Sequence, residues 1–195
     1  MAACSCRCVV ARSLCTPRCS DLTTVSVALR CHPCISCPRV QLLAVKRHYV
    51  AAIATIGSSL PQGGATASPL YYAPIPSVSA PLSVLALYGS NDTLCPPAGG
   101  VHSALLPDDP TGVLLSADAS AQVWATHSEC TARVVATTPT LNRKVSWSGC
   151  RASDDAARPL TVISYVLEWK EHDRLLETVV EGGLARLLFR FFNAA

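Results

Sequence analysis

The chain has 195 residues, which is enough for one domain with a sizeable core or for two small ones. Half of the residues are apolar, 15% are charged and the mean hydropathy is +0.32, and this composition excludes the class of highly charged disordered chains. No run of about 18 uncharged apolar residues occurs, so we expect no membrane-spanning helix.

The net charge of +3 is unevenly distributed along the chain. Residues 1–50 contain seven Lys and Arg but only one acid, whereas residues 51–195 contain nine basic and twelve acidic residues. Cysteine is divided at the same place, since eight of the eleven cysteines lie within the first 37 residues. We therefore divide the chain into a Cys/Arg-rich segment, 1–40, which we expect to be poorly ordered, and a domain, 41–195.

The N-terminal segment allows three interpretations. Its basic, acid-poor composition is compatible with an organelle transit peptide, whereas Arg7 and Arg12 interrupt the apolar core that a secretory signal needs. Residues 31–37 (CHPCISC) carry ligand types that suit zinc, but no second ligand pair follows at the usual spacing. GC-rich DNA read out of frame gives the same mixture of Cys, Arg, Pro and Ser. Only residues 22–29 have the β-branched content of a strand.

From residue 41 the pattern is that of an α/β domain. Residues 41–48 predict the end of a helix, and the apolar run 50–56 (VAAIATI) is typical of a strand buried on both faces of a parallel sheet. A Gly/Pro/Ser/Ala-rich loop, 61–81, separates it from a second buried strand, 82–88. Asp92 follows that strand closely, at the position where α/β enzymes place functional groups.

The remaining elements continue the alternation of strand and helix. Residues 116–130 predict a helix with Ser116 as its N-cap, and 160–167 (LTVISYVL) predict a third strand, which His172 follows. Residues 183–192 predict a helix with an apolar stripe. This order indicates an α/β fold with a mostly parallel sheet.

Four segments of the domain resemble one enzyme family. Residues 84–92 (VLALYGSND), with PPAGG shortly after them, resemble the acid-bearing turn V-L-x-x-H-G-x-x-D-x-x-V-P-Y-x-G-G of the polyhydroxybutyrate depolymerase and feruloyl esterase-like α/β-hydrolases. The other matches follow the family order: 50–61 with F-A-A-I-A-x-V-A-G-S-L-P, 122–130 with W-A-x-x-N-x-C, and 147–150 with Y-x-G-C. The resemblance covers about residues 41–172.

The resemblance implies a Ser-Asp-His triad in that chain order on a partial α/β-hydrolase fold. Asp92 matches the triad acid. Residues 165–172 (YVLEWKEH) align with the family's Y-x-x-E-G-x-G-H, so His172 matches the triad base. The glycine-rich stretch before that histidine reads Trp-Lys-Glu here, which leaves His172 as either the base or a solvated histidine on a charged loop.

The nucleophile of the family is missing from the chain. No G-x-S-x-G occurs, and counting back from Val50 by the family spacing reaches residues 31–35 (CHPCI), where proline stands at the serine position. Cys31 and Cys34 are chemically capable nucleophiles, but nothing in the sequence places them on the strained turn that the serine occupies. We therefore expect little or no activity from this chain alone.

Two functional hypotheses remain. In the first, the chain is the C-terminal part of a serine-type carboxylic-ester hydrolase for polyhydroxyalkanoate or feruloyl and other phenolic esters, and the N-terminal half of the fold, with its reading frame, is lost. In the second, the chain is a non-enzymatic hydrolase-like protein with a zinc-binding or targeting segment at its N-terminus.

Other ligands and partners are not indicated. A phosphate loop and a dinucleotide fingerprint are both absent, so we expect no cofactor, and we assign no metal to the site. The domain has no basic patch, which argues against nucleic acid as a partner. The resemblance further implies a disulfide between Cys130 and Cys150 and an extracellular location, with an organelle as the alternative.

The pattern also makes a geometric prediction. Residues 50–56, 82–88 and 160–167 should be neighbouring parallel strands, with the helix 183–192 packed on their sheet. Because right-handed crossovers keep successive strand ends on one side of a sheet, Asp92 and His172 should lie at the same edge.

Overall fold

A computed structural model describes residues 8–12, 25–30, 50–60, 82–101, 113–138, 142–151, 159–172, 175 and 183–194. The strands and helices within these ranges are β1 (Cys8–Arg12), β2 (Val25–Arg30), β3 (Val50–Ile56), β4 (Ser83–Gly89), β5 (Gly100–Val101), β6 (Val113–Leu114), α1 (Ala117–His127), β7 (Ala132–Thr137), β8 (Arg143–Ser148), β9 (Val162–Leu167) and α2 (Leu184–Ala194).

Within the described part of the chain, one sheet has seven strands in the order β1-β2-β3-β4-β9-β8-β7. The four central strands β2, β3, β4 and β9 are parallel, β1 is antiparallel to β2, and the antiparallel pair β8 and β7 continues the sheet beyond β9. The architecture is therefore a mixed, mostly parallel sheet with helices. It agrees with the predicted α/β class and with the predicted neighbours β3, β4 and β9.

The central strands are apolar throughout because both of their faces are covered. All seven residues of β4 are buried, and successive side chains point to opposite faces. Val84 packs with Trp124 of α1, whereas Leu85 packs with Phe191 of α2. The two helices therefore cover opposite faces of the sheet, as expected for an α/β layer arrangement.

The two predicted helices that lie within the described ranges are present with slightly different bounds. Ser116 caps α1, since its Oγ accepts a hydrogen bond of 3.1 Å from the N–H of Ala119. In α2, Leu187 and Phe191 are buried one turn apart, which is the predicted apolar stripe. The hairpin of β7 and β8 was not predicted, although Val145 and Trp147 of β8 are buried in the period-two pattern of a half-covered strand.

The predicted disulfide between Cys130 and Cys150 is present. It connects the chain just after α1 to the chain just after β8, at the margin of the core cluster that contains Trp124 and Trp147. No helix in the described ranges is both long and apolar enough to cross a membrane.

Several predictions concern residues outside the described ranges. These are the helix end at 41–48, the loop at 61–81 and the zinc hypothesis for 31–37. In the N-terminal segment, β2 overlaps the predicted strand 22–29, and β1 was not predicted. The division of the chain at residue 40 stays a prediction.

Candidate active site

Asp92 lies at the carboxyl edge of the sheet, three residues beyond the end of β4. Its side chain is buried, and its Oδ1 accepts hydrogen bonds from the backbone N–H groups of Leu94 (2.9 Å) and Cys95 (2.7 Å). These bonds are local, since an Asp side chain in a turn commonly accepts from the backbone two residues further along. They fix the carboxylate and leave its second oxygen, Oδ2, for another partner.

That partner is His172, on the segment that follows β9. Its Nδ1 lies 2.8 Å from Oδ2 of Asp92, and only 9% of the histidine side chain is exposed. The two residues therefore lie at the same edge of the sheet, as predicted from the order of the strands. The alternative of a solvated histidine on a charged loop is wrong, because the imidazole is almost completely covered.

Backbone hydrogen bonds hold the two segments together. The N–H of Ser90 donates to Leu167 O (2.9 Å), and the N–H of Asn91 donates to Lys170 O (3.0 Å). The N–H of Trp169 in turn donates to Oγ of Ser90 (2.8 Å). The turn after β4 thus fixes the path of the chain from β9 to His172.

The end of β3 contributes Gly57, which was not among the predicted site residues. A Cβ atom on this residue would lie 2.7 Å from Cε1 and 2.9 Å from Nδ1 of His172, both shorter than real contacts of this kind. Gly57 also has a φ of +60°, which favours glycine. Because Gly57 has no side chain, the imidazole can lie against the end of β3. In the sequence, the only sign of this role was a glycine directly after a buried strand.

The surroundings keep Asp92 ionised. Burial raises the pKa of its carboxyl, but the hydrogen bonds from His172 and from the N–H groups of Cys95 and Leu94, together with the charge interaction with His172, outweigh that effect. The net result is a pKa below the usual value for aspartic acid. An ionised carboxylate beside Nδ1 favours the tautomer that carries its proton there, so Nε2 is the ring nitrogen with the lone pair.

Cys95 is the nearest thiol to this pair along the chain, but it is not an activated nucleophile. Burial, and secondarily the charge of Asp92, raise its pKa to about 12. Because the thiolate is the reactive form, Cys95 stays an inert, buried thiol at neutral pH.

The position predicted for a nucleophile follows β2. Arg30, the last residue of β2, pairs with Ile56, the residue before Gly57. The chain therefore leaves β2 at the sheet edge that carries Asp92 and His172, one strand away from Gly57. Residues 31–35 themselves lie outside the described ranges.

The domain also contains other histidines and three tryptophans. His127 is the last residue of α1, edge-on to the ring of Trp124, and His102 lies outside the described ranges. Trp124 and Trp147 belong to the core, whereas Trp169 is 78% exposed. Over the described residues, no group of three or more His, Cys, Asp or Glu side chains could hold a metal ion.

The chain matches no family model, no curated protein and no solved structure.

Proposed function

We propose that this chain carries the acid and base of a Ser-Asp-His-type carboxylic-ester hydrolase site, with Asp92 as the acid and His172 as the base. The observation that carries the proposal is the 2.8 Å contact between Oδ2 of buried Asp92 and Nδ1 of covered His172. In such a site the histidine takes the proton of an attacking nucleophile, and the carboxylate orients the imidazole and stabilises the imidazolium that forms.

The topology supports the same proposal. The acid follows one parallel strand, β4, and the histidine follows its neighbour, β9. This is the order in which α/β-hydrolases present the two residues, after a nucleophile from an earlier strand. The sequence patterns described above favour the polyhydroxybutyrate depolymerase and feruloyl esterase-like family, and polyhydroxyalkanoate or phenolic esters as its substrates.

The proposal includes low activity of the chain as it stands. No G-x-S-x-G is present, and a buried Cys95 with a raised pKa does not replace it. The disulfide between Cys130 and Cys150 supports an extracellular location, because such bonds persist in oxidising compartments.

Hydrolysis of p-nitrophenyl butyrate by the purified full chain tests the proposal when the missing serine is supplied. The substitutions Cys31→Gly, Pro33→Ser and Ile35→Gly give the sequence G-H-S-C-G at the predicted position. We expect this triple variant to hydrolyse the ester, and we expect little or no hydrolysis by the unchanged chain. Adding Asp92→Asn should then lower kcat by on the order of 10⁴-fold, because the imidazole loses its orienting carboxylate.

A second measurement addresses the acid and base without any nucleophile. Nitrogen-15 NMR of the unchanged chain should find the His172 proton on Nδ1, and Asp92→Asn should abolish that preference. Asp118→Asn is the matched control, since Asp118 pairs with Arg143 on the surface of α1. A proton on Nε2 in the unchanged chain, or turnover that survives Asp92→Asn, would contradict the proposal.

A further inference from the structure

The end strand β7 is open along its outer edge. It pairs with β8 on one side and is the last strand of the sheet over the described residues. All six of its residues are exposed, including Val134 (57%) and Val135 (50%), whose side chains point to opposite faces. Within the described part of the chain, neither face of this strand nor its outer edge is therefore covered.

Natural sheets usually protect such an edge, and β7 lacks the usual protection. Proline, lysine and a β-bulge are the common devices, since each prevents a further strand from pairing. The sequence of β7 is ARVVAT, and its register with β8 is regular from Ala132 to Thr137. Its one charge belongs to Arg133.

Arg133 does not protect the edge either, because its guanidinium points away from the edge and contacts Trp147 and Asp118 of the same chain. It lies 5.6 Å from the ring centre of Trp147 and 3.5 Å from Oδ2 of Asp118. Asp118 also accepts two hydrogen bonds from Arg143, so the positive charge at this end of the sheet is partly balanced.

We propose that β7 pairs antiparallel with β7 of a second copy of the chain, so that two sheets continue into one across a two-fold axis. The two-fold axis of such a pair must pass beside a residue and not between two residues. The reason is that residues directly opposite each other in an antiparallel ladder have their side chains on the same face of the sheet. The central residue is then opposite its own copy.

The sequence of β7 suits its own copy in two such registers. With the axis at Val135, valine opposes valine, Val134 opposes Ala136, and Arg133 opposes Thr137. With the axis at Val134, Arg133 opposes Val135. Both registers place β-branched side chains together and keep the two arginines apart, and cross-strand pairs of this type stabilise a sheet. Only the register centred on Arg133 opposes like charges, and it is disfavoured for that reason.

Sedimentation equilibrium of the full chain tests this proposal, with Val134→Lys and Val135→Lys combined as the variant. We expect the unchanged chain to be a dimer and the variant to be a monomer, because both registers would then bring lysines together at the axis. The valines are exposed, so the far-UV spectrum of the folded variant should change little. Phe189→Lys is the matched control: it replaces an equally exposed apolar side chain on α2 (69%) and should remain a dimer.

Hydrogen exchange separates strand pairing from any other mode of association. The outward-facing amides of β7 should exchange more slowly as the protein concentration, and with it the fraction of dimer, is raised. In the double lysine variant these amides should exchange fast at every concentration. A monomeric unchanged chain, a dimer that survives both lysines, or β7 amides whose exchange is independent of concentration would each overturn the proposal.

Discussion

Asp92 owes its low pKa to contacts that exist only in the folded chain, and its ionisation is therefore coupled to stability. A carboxyl whose pKa is lower in the folded state stabilises the protein above its unfolded pKa, and that contribution is lost as the pH falls through the folded value. Asp92→Asn removes this contribution at every pH.

We therefore predict a pH-dependent difference between the unchanged chain and Asp92→Asn. At pH 7 the variant should unfold more easily by roughly 1.5–3 kcal/mol, the usual contribution of hydrogen bonds to a charged group. The difference should shrink as the pH falls below about 4, where the carboxyl of the unfolded chain protonates, and continue to shrink towards the lower pKa of the folded state. Urea denaturation at a series of pH values measures it, and a difference that stays constant down to pH 2 would refute the coupling.

Trp169 is a strained residue on the segment that carries His172. Its φ is +59°, in the left-handed region, where a bulky side chain is a genuine outlier. This left-handed backbone, on the path to His172, therefore costs about 1–2 kcal/mol, the usual penalty for a side chain in this conformation.

Trp169→Gly should consequently stabilise the protein, by about 1 kcal/mol after the entropy of glycine in the unfolded chain is subtracted. The indole is 78% exposed, so little packing is lost, and the N–H that donates to Ser90 is kept. Chemical denaturation compares it with Trp169→Ala, which removes the ring but keeps the strain. Equal stability of the two variants would show that the backbone is not the cause.

At the scale of elements, α2 is held to the sheet by one face. Phe191 is buried in the cluster that contains Leu85 and Tyr165, whereas Phe189, on the same helix, is 69% exposed. The two residues have the same side chain and lie two positions apart in the helix. Substituting each of them therefore distinguishes the effect of packing from the effect of helix propensity.

Phe191→Ala should lower the free energy of unfolding by about 3–5 kcal/mol, since it leaves a cavity in the core. Phe189→Ala should change it by no more than about 0.5 kcal/mol. Thermal or urea unfolding followed by circular dichroism is sufficient. Similar losses for both variants would mean that α2 does not pack on the sheet through this face.

The connection after α1 has a comparable local cause. The N–H of Cys130 donates to Ala125 O (2.9 Å) and that of Glu129 to Thr126 O (3.1 Å), the two bonds of a Schellman cap. Glu129 takes the left-handed position usually held by glycine, with φ +52°. This cap turns the chain so that Cys130 reaches Cys150.

At the scale of the whole molecule, the disulfide closes a loop with a sequence separation of 20 residues. In the chain-entropy model such a loop stabilises the fold by about 3 kcal/mol. We predict a loss of that size when Cys130→Ser and Cys150→Ser are combined, measured by urea denaturation under oxidising conditions. The same reagent that reduces the unchanged chain should leave the double variant unaffected, and free thiols at both positions in a peptide map would contradict the bond.

The sequence by itself determined the class of the fold and the main strands. Apolar runs such as 50–56 and 82–88 are too short for helices and too continuous for a half-exposed strand, so burial on both faces follows from local composition alone. The sheet edge shared by Asp92 and His172 followed as well, because connection handedness restricts where parallel strands end. The hairpin of β7 and β8 was missed because its alternating pattern is short and its outer strand has no buried face.

Only the tertiary structure decided how the site is built. The contact of Nδ1 with Oδ2, the missing side chain of Gly57 beneath the imidazole, and the hydrogen bond from Trp169 to Ser90 all join residues that are far apart in the sequence. No local pattern encodes them, since they depend on strand order and register, which are set by the packing of the whole sheet. The exposed edge of β7 has the same origin: an edge strand is defined by the absence of a neighbour, and a neighbour is a property of the assembled fold.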